Sequence, residues 1–378
     1  MIRRSLRSLL NLAAALVVLG MAVVGLEWYL TAVEQQERCG TTDPFAASDM
    51  FLPSPSMHHT LRPGVAWKTP ASGGTFTINK LGLRGPEPAV PKPKGTYRVL
   101  LLGDEAIFTP SVTQTNTTAG RLRALFKTGG SDRVEVINGG VPGYCPLLCL
   151  LSYRESLSSL QADLVVLHCS SNDVDNDYRY RSFLRSDRES GQSIAVSHPA
   201  LTGRCAIGET THSVTQFAIG RWFLRQILDS PGDAVRPPET TPIPHDLRLR
   251  HSLQPIKELA GLTEKFSTRL VVTCSPTEAE IVNGQPTRSW RRLNQAVGDF
   301  ARRNNVEFCD TAAGYSNGSG AILVDNDPSD ESRWTRSPKP TLAVQLANYL
   351  TQGRNHRGLP ANVDHAAGTR SDHSPKHD

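Results

Sequence analysis

The stretch Tyr97–Leu102 reads YRVLLL and runs directly into Gly103-Asp104-Glu105. A short apolar run that ends in Gly-Asp is typical of a strand buried on both faces of a sheet. Similar runs follow along the chain at 134–137, 164–168, 270–273 and 306–309. Helical patterns lie between or after them: one has Leu122, Leu125 and Phe126 on one face and stops at Gly129-Gly130, and others lie at about 146–160, 247–267, 288–304 and 339–351. This alternation predicts an α/β fold with a parallel sheet and helices on both of its faces.

The composition excludes several classes of protein. Of 378 residues, 38% are hydrophobic and 20% charged, which is too apolar for a disordered chain. Lys and Arg (41) exceed Asp and Glu (36) only slightly and are scattered, so we expect no nucleic-acid partner. The seven cysteines include no Cys-x-x-Cys pair and no zinc-like spacing. We therefore predict no metal and no cofactor, and interpret most cysteines as small buried apolar residues.

The N-terminus carries a membrane signal. An apolar run over 9–26, broken only by Asn11, is long enough to span a bilayer and follows Arg3, Arg4 and Arg7. These arginines place a stub of residues 1–8 in the cytoplasm, with Trp28 and Tyr29 at the far interface. The prediction is a single-pass anchor over 9–30 with the main domain in the periplasm or outside the cell. A cleaved signal peptide is the open alternative.

The rest of the chain divides by composition. Residues 31–94 are rich in Pro, Gly, Ser and Thr and predict a stiff stalk, with a strand-like island at 75–79. The main domain is predicted over 95–352. It is interrupted by an Arg-rich surface insertion at 176–245. The polar residues 353–378 indicate a disordered tail.

Three loops at the predicted carboxyl ends of the strands have the residue content of a binding site. They are 103–105, 138–144 and 170–173. Ligands of such sheets bind at these ends, and glycines let backbone N–H groups approach a ligand closely. The Gly140 amide and the Asn172 side chain are the candidate oxyanion hole. Three further side chains are candidates for ligand binding: Asp104, Asn138 and Asp173.

These loops resemble the sequence blocks of the SGNH or GDSL hydrolases. Gly103-Asp104-Glu105 is similar to the Gly-Asp-Ser block, Asn138-x-Gly140 to the second block, and Ser170-Ser171-Asn172-Asp173 to Gly-x-Asn-Asp. The stretch 79–85 (NKLGLRG) also resembles a motif of the membrane-anchored branch. The resemblance implies a flavodoxin-like three-layer α/β/α sandwich that hydrolyses esters or transfers acyl groups.

The chain departs from this family at two catalytic positions. Glu105 replaces the nucleophilic serine, and near Asp330, the expected acid, Ser332 or Arg333 stands where histidine belongs. No histidine occurs over 252–355, and losing the serine or histidine of a triad costs about a million-fold in turnover. Cys145, near a helix start, is a candidate substitute nucleophile. We interpret His168, which lies in an apolar strand, as a packed core residue.

Two functional hypotheses follow from this pattern. The first is a catalytically impaired envelope protein that binds a glycan, a lipid or an unidentified protein partner, with the Glu105 carboxylate folded into the hole of Gly140 and Asn172. The second is an active ester hydrolase or O-acyltransferase on envelope polysaccharide or lipid with a non-standard nucleophile. A structural protein with a vestigial cleft is a third reading. A nucleophile–base pair near the hole would distinguish the first two hypotheses.

Overall fold

In a computed structural model the chain forms two compact units. One comprises residues 1–62, 183–185 and 194–239, and the other comprises 63–182, 186–193 and 240–378. Apart from a few single positions, the structure describes residues 15–30, 48–68, 74–131, 133–198, 245–283, 285–312 and 342–351. Three sets of predictions lie largely or wholly outside the described residues: most of the insertion at 202–244, the positions Asp330, Ser332 and Arg333, and the tail 353–378.

The five runs predicted as strands of the main sheet form β5, β6, β7, β10 and β13, and further short strands and helices accompany them. The strands are β1 (Phe51–Pro53), β2 (His59–Leu61), β3 (Ala66–Lys68), β4 (Thr75–Thr77), β5 (Tyr97–Leu102), β6 (Val134–Asn138), β7 (Leu164–Cys169), β8 (Leu184–Ser186), β9 (Ser193–Val196), β10 (Arg269–Cys274), β11 (Ile281–Val282), β12 (Gln285–Pro286) and β13 (Glu307–Asp310). The helices are α1 (15–30), α2 (Glu105–Phe108), α3 (Thr118–Thr128), α4 (Pro146–Glu155), α5 (Asp173–Arg181), α6 (His245–Lys265), α7 (Arg288–Arg303) and α8 (Leu342–Thr351).

The larger unit is built on a five-stranded parallel sheet with the order β13-β10-β7-β5-β6. Numbered by their sequence within the sheet, the strands lie in the order 2-1-3-4-5, which is the flavodoxin-like arrangement. Helix α3 packs with α8, while α4 and α5 pack with α6. The predicted α/β fold and its parallel sheet are therefore confirmed.

Strand β5 lies between β6 and β7 in this sheet and is buried along its whole length. Its alternate residues Tyr97, Val99 and Leu101 join the core cluster that includes α3 and α8. Arg98 is fully buried as well, but its guanidinium donates to Glu135 Oε2 at 2.7 Å and to the carbonyl of Ala89 at 2.8 Å. Because these hydrogen bonds satisfy its donors, a charged residue is tolerated in this buried strand.

Residues 48–68 and 74–94, which belong to the predicted stalk, contain strands and buried side chains. In the smaller unit, β1 pairs antiparallel with β2 and buries Phe51 and Leu61. In the larger unit, β3 pairs antiparallel with β4 and buries Phe76. Proline and glycine are frequent here because the chain turns often, and the few apolar residues between the turns suffice to fold it.

The predicted membrane anchor is only partly described. Residues 15–30 are helical, and their apolar side chains are largely exposed, for example Leu16, Leu19 and Val24. In the part of the chain that the structure describes, no helix reaches the length and apolarity required to cross a bilayer.

The motif at 79–85 holds the segment that follows β5. The Arg84 side chain is 2% exposed and donates to the backbone carbonyls of Phe108, Thr109 and Val112. Its guanidinium carbon also lies 4.2 Å from the centre of the Phe76 ring. Burial lowers the pKa of Arg84 to about 10, so the group stays charged at neutral pH. One buried cation therefore fixes the carbonyls at the end of α2.

Replacing Arg84 should destabilise the larger unit. Arg84→Ala leaves three carbonyls without this donor and should lower the free energy of unfolding by about 3 kcal/mol. Arg84→Lys should recover only part of the loss, because an ammonium cannot reproduce the planar fork. Urea unfolding followed by circular dichroism measures both. The control is Arg292→Ala, which removes an exposed arginine and should change the free energy of unfolding by no more than about 0.5 kcal/mol. An equal loss in Arg84→Ala and Arg292→Ala would contradict the stabilising role of Arg84.

Candidate functional site

The carboxyl ends of β5, β6, β7 and β10 bring the candidate side chains together at one edge of the sheet. The turn after β5 depends on Gly103, whose φ is +154°. A Cβ at this position would lie 2.8 Å from Ile107 and 3.1 Å from the Cβ of His168. Glycine is therefore required where the Gly-Asp turn packs directly on the end of β7.

Asp104 is buried beneath this turn. Its Oδ1 accepts a hydrogen bond from the backbone N–H of Ala106 at 3.0 Å and so caps α2. The same oxygen lies 3.9 Å from Nδ1 of His168. The predicted ligand-binding residue Asp104 therefore faces the protein interior, where it fixes the turn and places a negative charge beside an imidazole.

The Glu105 carboxylate folds back onto the loop after β6. Its Oε1 accepts a hydrogen bond from the backbone N–H of Gly143 at 3.0 Å, while no described residue donates to its buried Oε2. Burial, with the Asp104 carboxylate as a second cause, raises the pKa of Glu105 to about 7. The nucleophile position thus holds a partly buried carboxyl group that is bound by a backbone amide.

The two predicted members of the oxyanion hole, Gly140 and Asn172, do not bind the Glu105 carboxylate. The Gly140 N–H donates to Oδ1 of Asn138 at 3.0 Å, and Asn138 in turn donates to the carbonyl of Ile107 at 2.9 Å. Asn172 is exposed, and its side chain makes no hydrogen bond with the described residues. Glu105 therefore binds the Gly143 amide rather than the pair Gly140 and Asn172. Asn138 braces the loop through these two hydrogen bonds, and its predicted ligand-binding role stays a prediction.

Sequence reasoning missed Gly143 as a donor. The residue lies in the sequence Pro142-Gly143-Tyr144, and its φ of +76° belongs to the left-handed region that favours glycine. The Gly143 carbonyl accepts a hydrogen bond from the Tyr180 hydroxyl at 3.1 Å, which fixes the peptide from the other side. The Pro-Gly pair was the available signal, but it indicates a turn and not the direction of its N–H.

Asp173 is a structural carboxyl group in this site. It is 4% exposed, and its Oδ2 accepts a hydrogen bond from the Ser170 N–H at 2.9 Å. Burial raises the pKa of Asp173 well above its usual range, and the nearby Asp104 carboxylate raises it further. This side chain closes the turn after β7, and its predicted ligand-binding role stays a prediction.

The two ring nitrogens of His168 contact serine hydroxyl groups that follow β10 and β7. Its Nε2 lies 2.7 Å from the hydroxyl oxygen of Ser275, and its Nδ1 lies 3.4 Å from that of Ser170. Burial lowers the pKa of His168, although the carboxylates of Asp104 and Glu280 oppose this effect. The imidazole is a buried residue, as expected, but it is also a neutral base that contacts a serine. Ser275 is 107 residues distant along the chain, so no sequence motif joins the two.

Cys145 is not the reactive thiol that its place at a helix start suggested. It is 1% exposed, and burial raises the pKa of its thiol well above the usual range. Four further described cysteines are also buried free thiols: Cys149, Cys169, Cys274 and Cys309. Within the described residues, no group of three or more His, Cys, Asp or Glu side chains is arranged to hold a metal ion.

Comparison with known proteins gives distant structural likenesses. No protein-family model matches the sequence, and no curated protein matches it. A catalytic mutant of the acetylxylan esterase Axe2 from Geobacillus stearothermophilus is 13% identical with a TM-score of 0.35, covering 67% of this chain and 91% of its own. A GDSL-like lipase from Bacteroides thetaiotaomicron is 14% identical with a TM-score of 0.31, covering 68% and 84%.

One of these neighbours is an acetylxylan esterase and the other a GDSL-like lipase. At this identity and TM-score the likeness does not define an activity.

The raised pKa of Glu105 makes stability depend on pH. Between the usual value of 4.5 and the folded value of about 7, the folded state holds more protons than the unfolded state. The free energy of unfolding should therefore fall as pH rises from about 4.5 to about 7, by on the order of 1–3 kcal/mol from this group. Glu105→Gln should remove that part of the slope. Urea unfolding at pH 5 and pH 8 measures it, and an unchanged slope in Glu105→Gln would disprove the assignment.

Proposed function

We propose that this chain is an ester-hydrolase-like protein that binds the acyl or carboxylate group of a glycan or lipid at the strand ends. The observation that carries the proposal is the 3.0 Å hydrogen bond from the Gly143 N–H to Glu105 Oε1. A backbone amide that binds a carboxylate oxygen here is able to bind a carbonyl or carboxylate oxygen of a ligand in the same way.

Glu105 then acts as a tethered competitor of the ligand. Its carboxylate resembles the acid that ester hydrolysis releases, and it occupies the donor that an acyl ligand needs. Its second oxygen is buried without a donor among the described residues, so the internal contact is only half satisfied. An external ligand that brings further contacts is able to displace it.

The usual chemistry of the family is not expected at this turn. A carboxylate at position 105 has no hydroxyl group to form an acyl-enzyme, and the sequence offers no histidine over 252–355 to serve as the family's base. Binding by the Gly143 loop is therefore proposed without hydrolysis by that route.

Removing the tethered carboxylate should expose the donor. Butyrate binding to the full chain at pH 8, measured by saturation-transfer NMR, should be at least about tenfold tighter in Glu105→Ala, because an attached competitor acts at a high effective concentration. Glu155→Ala, which removes a carboxylate at the end of α4, is the matched control and should bind butyrate like the natural chain. Equal butyrate affinity in Glu105→Ala and the natural chain would contradict the proposal.

We also propose that residues 9–30 anchor the chain in a membrane, with the larger unit on the far side. The exposed apolar side chains of α1 and the arginines before it support this. After an alkaline carbonate wash, the full chain should stay in the membrane pellet, whereas a chain lacking residues 1–30 should be released. Release of the full chain by the wash would contradict the anchor.

A further inference from the structure

We propose that Ser275 is a nucleophile for acyl esters, with His168 as its general base. This inference goes beyond the binding function proposed above, because it places a reaction at the same edge of the sheet. It also uses a serine that follows β10 and not the turn after β5, where the family resemblance places its nucleophile.

The pair has the geometry that nucleophilic catalysis requires. Ser275 Oγ lies 2.7 Å from His168 Nε2, within hydrogen-bond reach of a base. For Nε2 to accept the serine proton, the imidazole must carry its own proton on Nδ1. That nitrogen faces the Ser170 hydroxyl at 3.4 Å and the Asp104 carboxylate at 3.9 Å. The Ser170 hydroxyl is within hydrogen-bond distance of Nδ1, and the more distant Asp104 carboxylate attracts a proton to the same nitrogen by its charge. Both favour the tautomer that leaves Nε2 free to take a proton.

The imidazole is fixed in this orientation. His168 belongs to β7, and Thr273 of β10 pairs with it in register, which places Ser275 two residues beyond that pair. The Gly103 turn packs directly on the β-carbon of His168. The titratable groups that act on the ring are Asp104 and Glu280, which oppose the effect of burial. Burial nevertheless prevails and lowers the pKa of His168, so the base is neutral at neutral pH.

The two members of the pair differ in their exposure to solvent. The His168 side chain is fully buried, whereas Ser275 is half-buried and precedes the buried Pro276. A substrate therefore meets the serine hydroxyl first, and the base acts from behind it. Asp104 and Ser170 are positioning residues, because they act through the imidazole and not on the substrate.

The reaction balances with water as the co-reactant. Ser275 Oγ attacks the ester carbonyl carbon, the new C–O bond forms, and the serine proton moves to His168 Nε2. The tetrahedral intermediate then expels the alcohol, which takes that proton as its C–O bond breaks and leaves an acyl-serine. Water attacks the acyl-serine with the same base, and the acid leaves as Ser275 regains its proton.

An alkyl fluorophosphonate tests the nucleophile directly. With the full chain in detergent, the probe should form one adduct, and mass spectrometry of the digested protein should place it on Ser275. Ser275→Ala should lose labelling entirely. Ser159→Ala, which removes an exposed hydroxyl on another element, should label like the natural chain.

The pH dependence separates a base from a merely structural histidine. Because burial lowers the pKa of His168 below 6.5, the labelling rate should stay level down to about pH 6.5 and fall at lower pH. Asp104→Asn keeps a side chain that caps α2 but removes the charge that raises this pKa, so the fall should move to still lower pH. No adduct on Ser275, or equal labelling of Ser275→Ala, would overturn the proposal. Butyrate binding in Glu105→Ala does not depend on Ser275, so failure of one proposal is distinguishable from failure of the other.

Discussion

The buried Asp104 carboxylate links the turn after β5, the His168 imidazole and the Glu105 carboxyl group. One buried group caps the first turn after β5, faces the imidazole of His168 and raises the pKa of Glu105 and of Asp173. Burial is the larger cause of both pKa shifts, and the negative charge of Asp104 adds to it.

The consequences differ on the two sides of β5. Towards β6, the Glu105 carboxyl group turns onto the Gly143 amide, which we propose as the donor to an acyl ligand. Towards β7 and β10, His168 stays neutral and contacts a serine that is partly open to solvent. The proposed base and nucleophile therefore belong to the ends of β7 and β10, on the side of β5 away from β6.

Sequence patterns predicted the sheet well because buried parallel strands are uninterrupted apolar runs. The run Tyr97–Leu102 and the four that follow it all became strands of one sheet. The stretch 31–94 was harder to predict, since β1 to β4 are only three residues long. No periodicity reveals that an arginine will be buried and hydrogen-bonded to three carbonyls.

From the sequence, only the loops that form the site could be predicted, and not the contacts within it. Its position at the strand ends followed from topology, but the choice of Gly143 over Gly140 depends on which way a peptide unit points. The partnership of His168 and Ser275 depends on strand register between β7 and β10, which brings together residues that lie 107 positions apart. The reading of Cys145 failed because a helix start lowers a thiol pKa only where burial does not oppose it.

Hydrolysis of p-nitrophenyl butyrate by the full chain and by Ser275→Ala tests whether Ser275 is a nucleophile. We expect measurable turnover by the natural chain and a loss of kcat/KM of at least about a hundredfold in Ser275→Ala, as expected when a serine nucleophile is removed. Turnover by Ser275→Ala at the natural rate, or none by the natural chain, would contradict it.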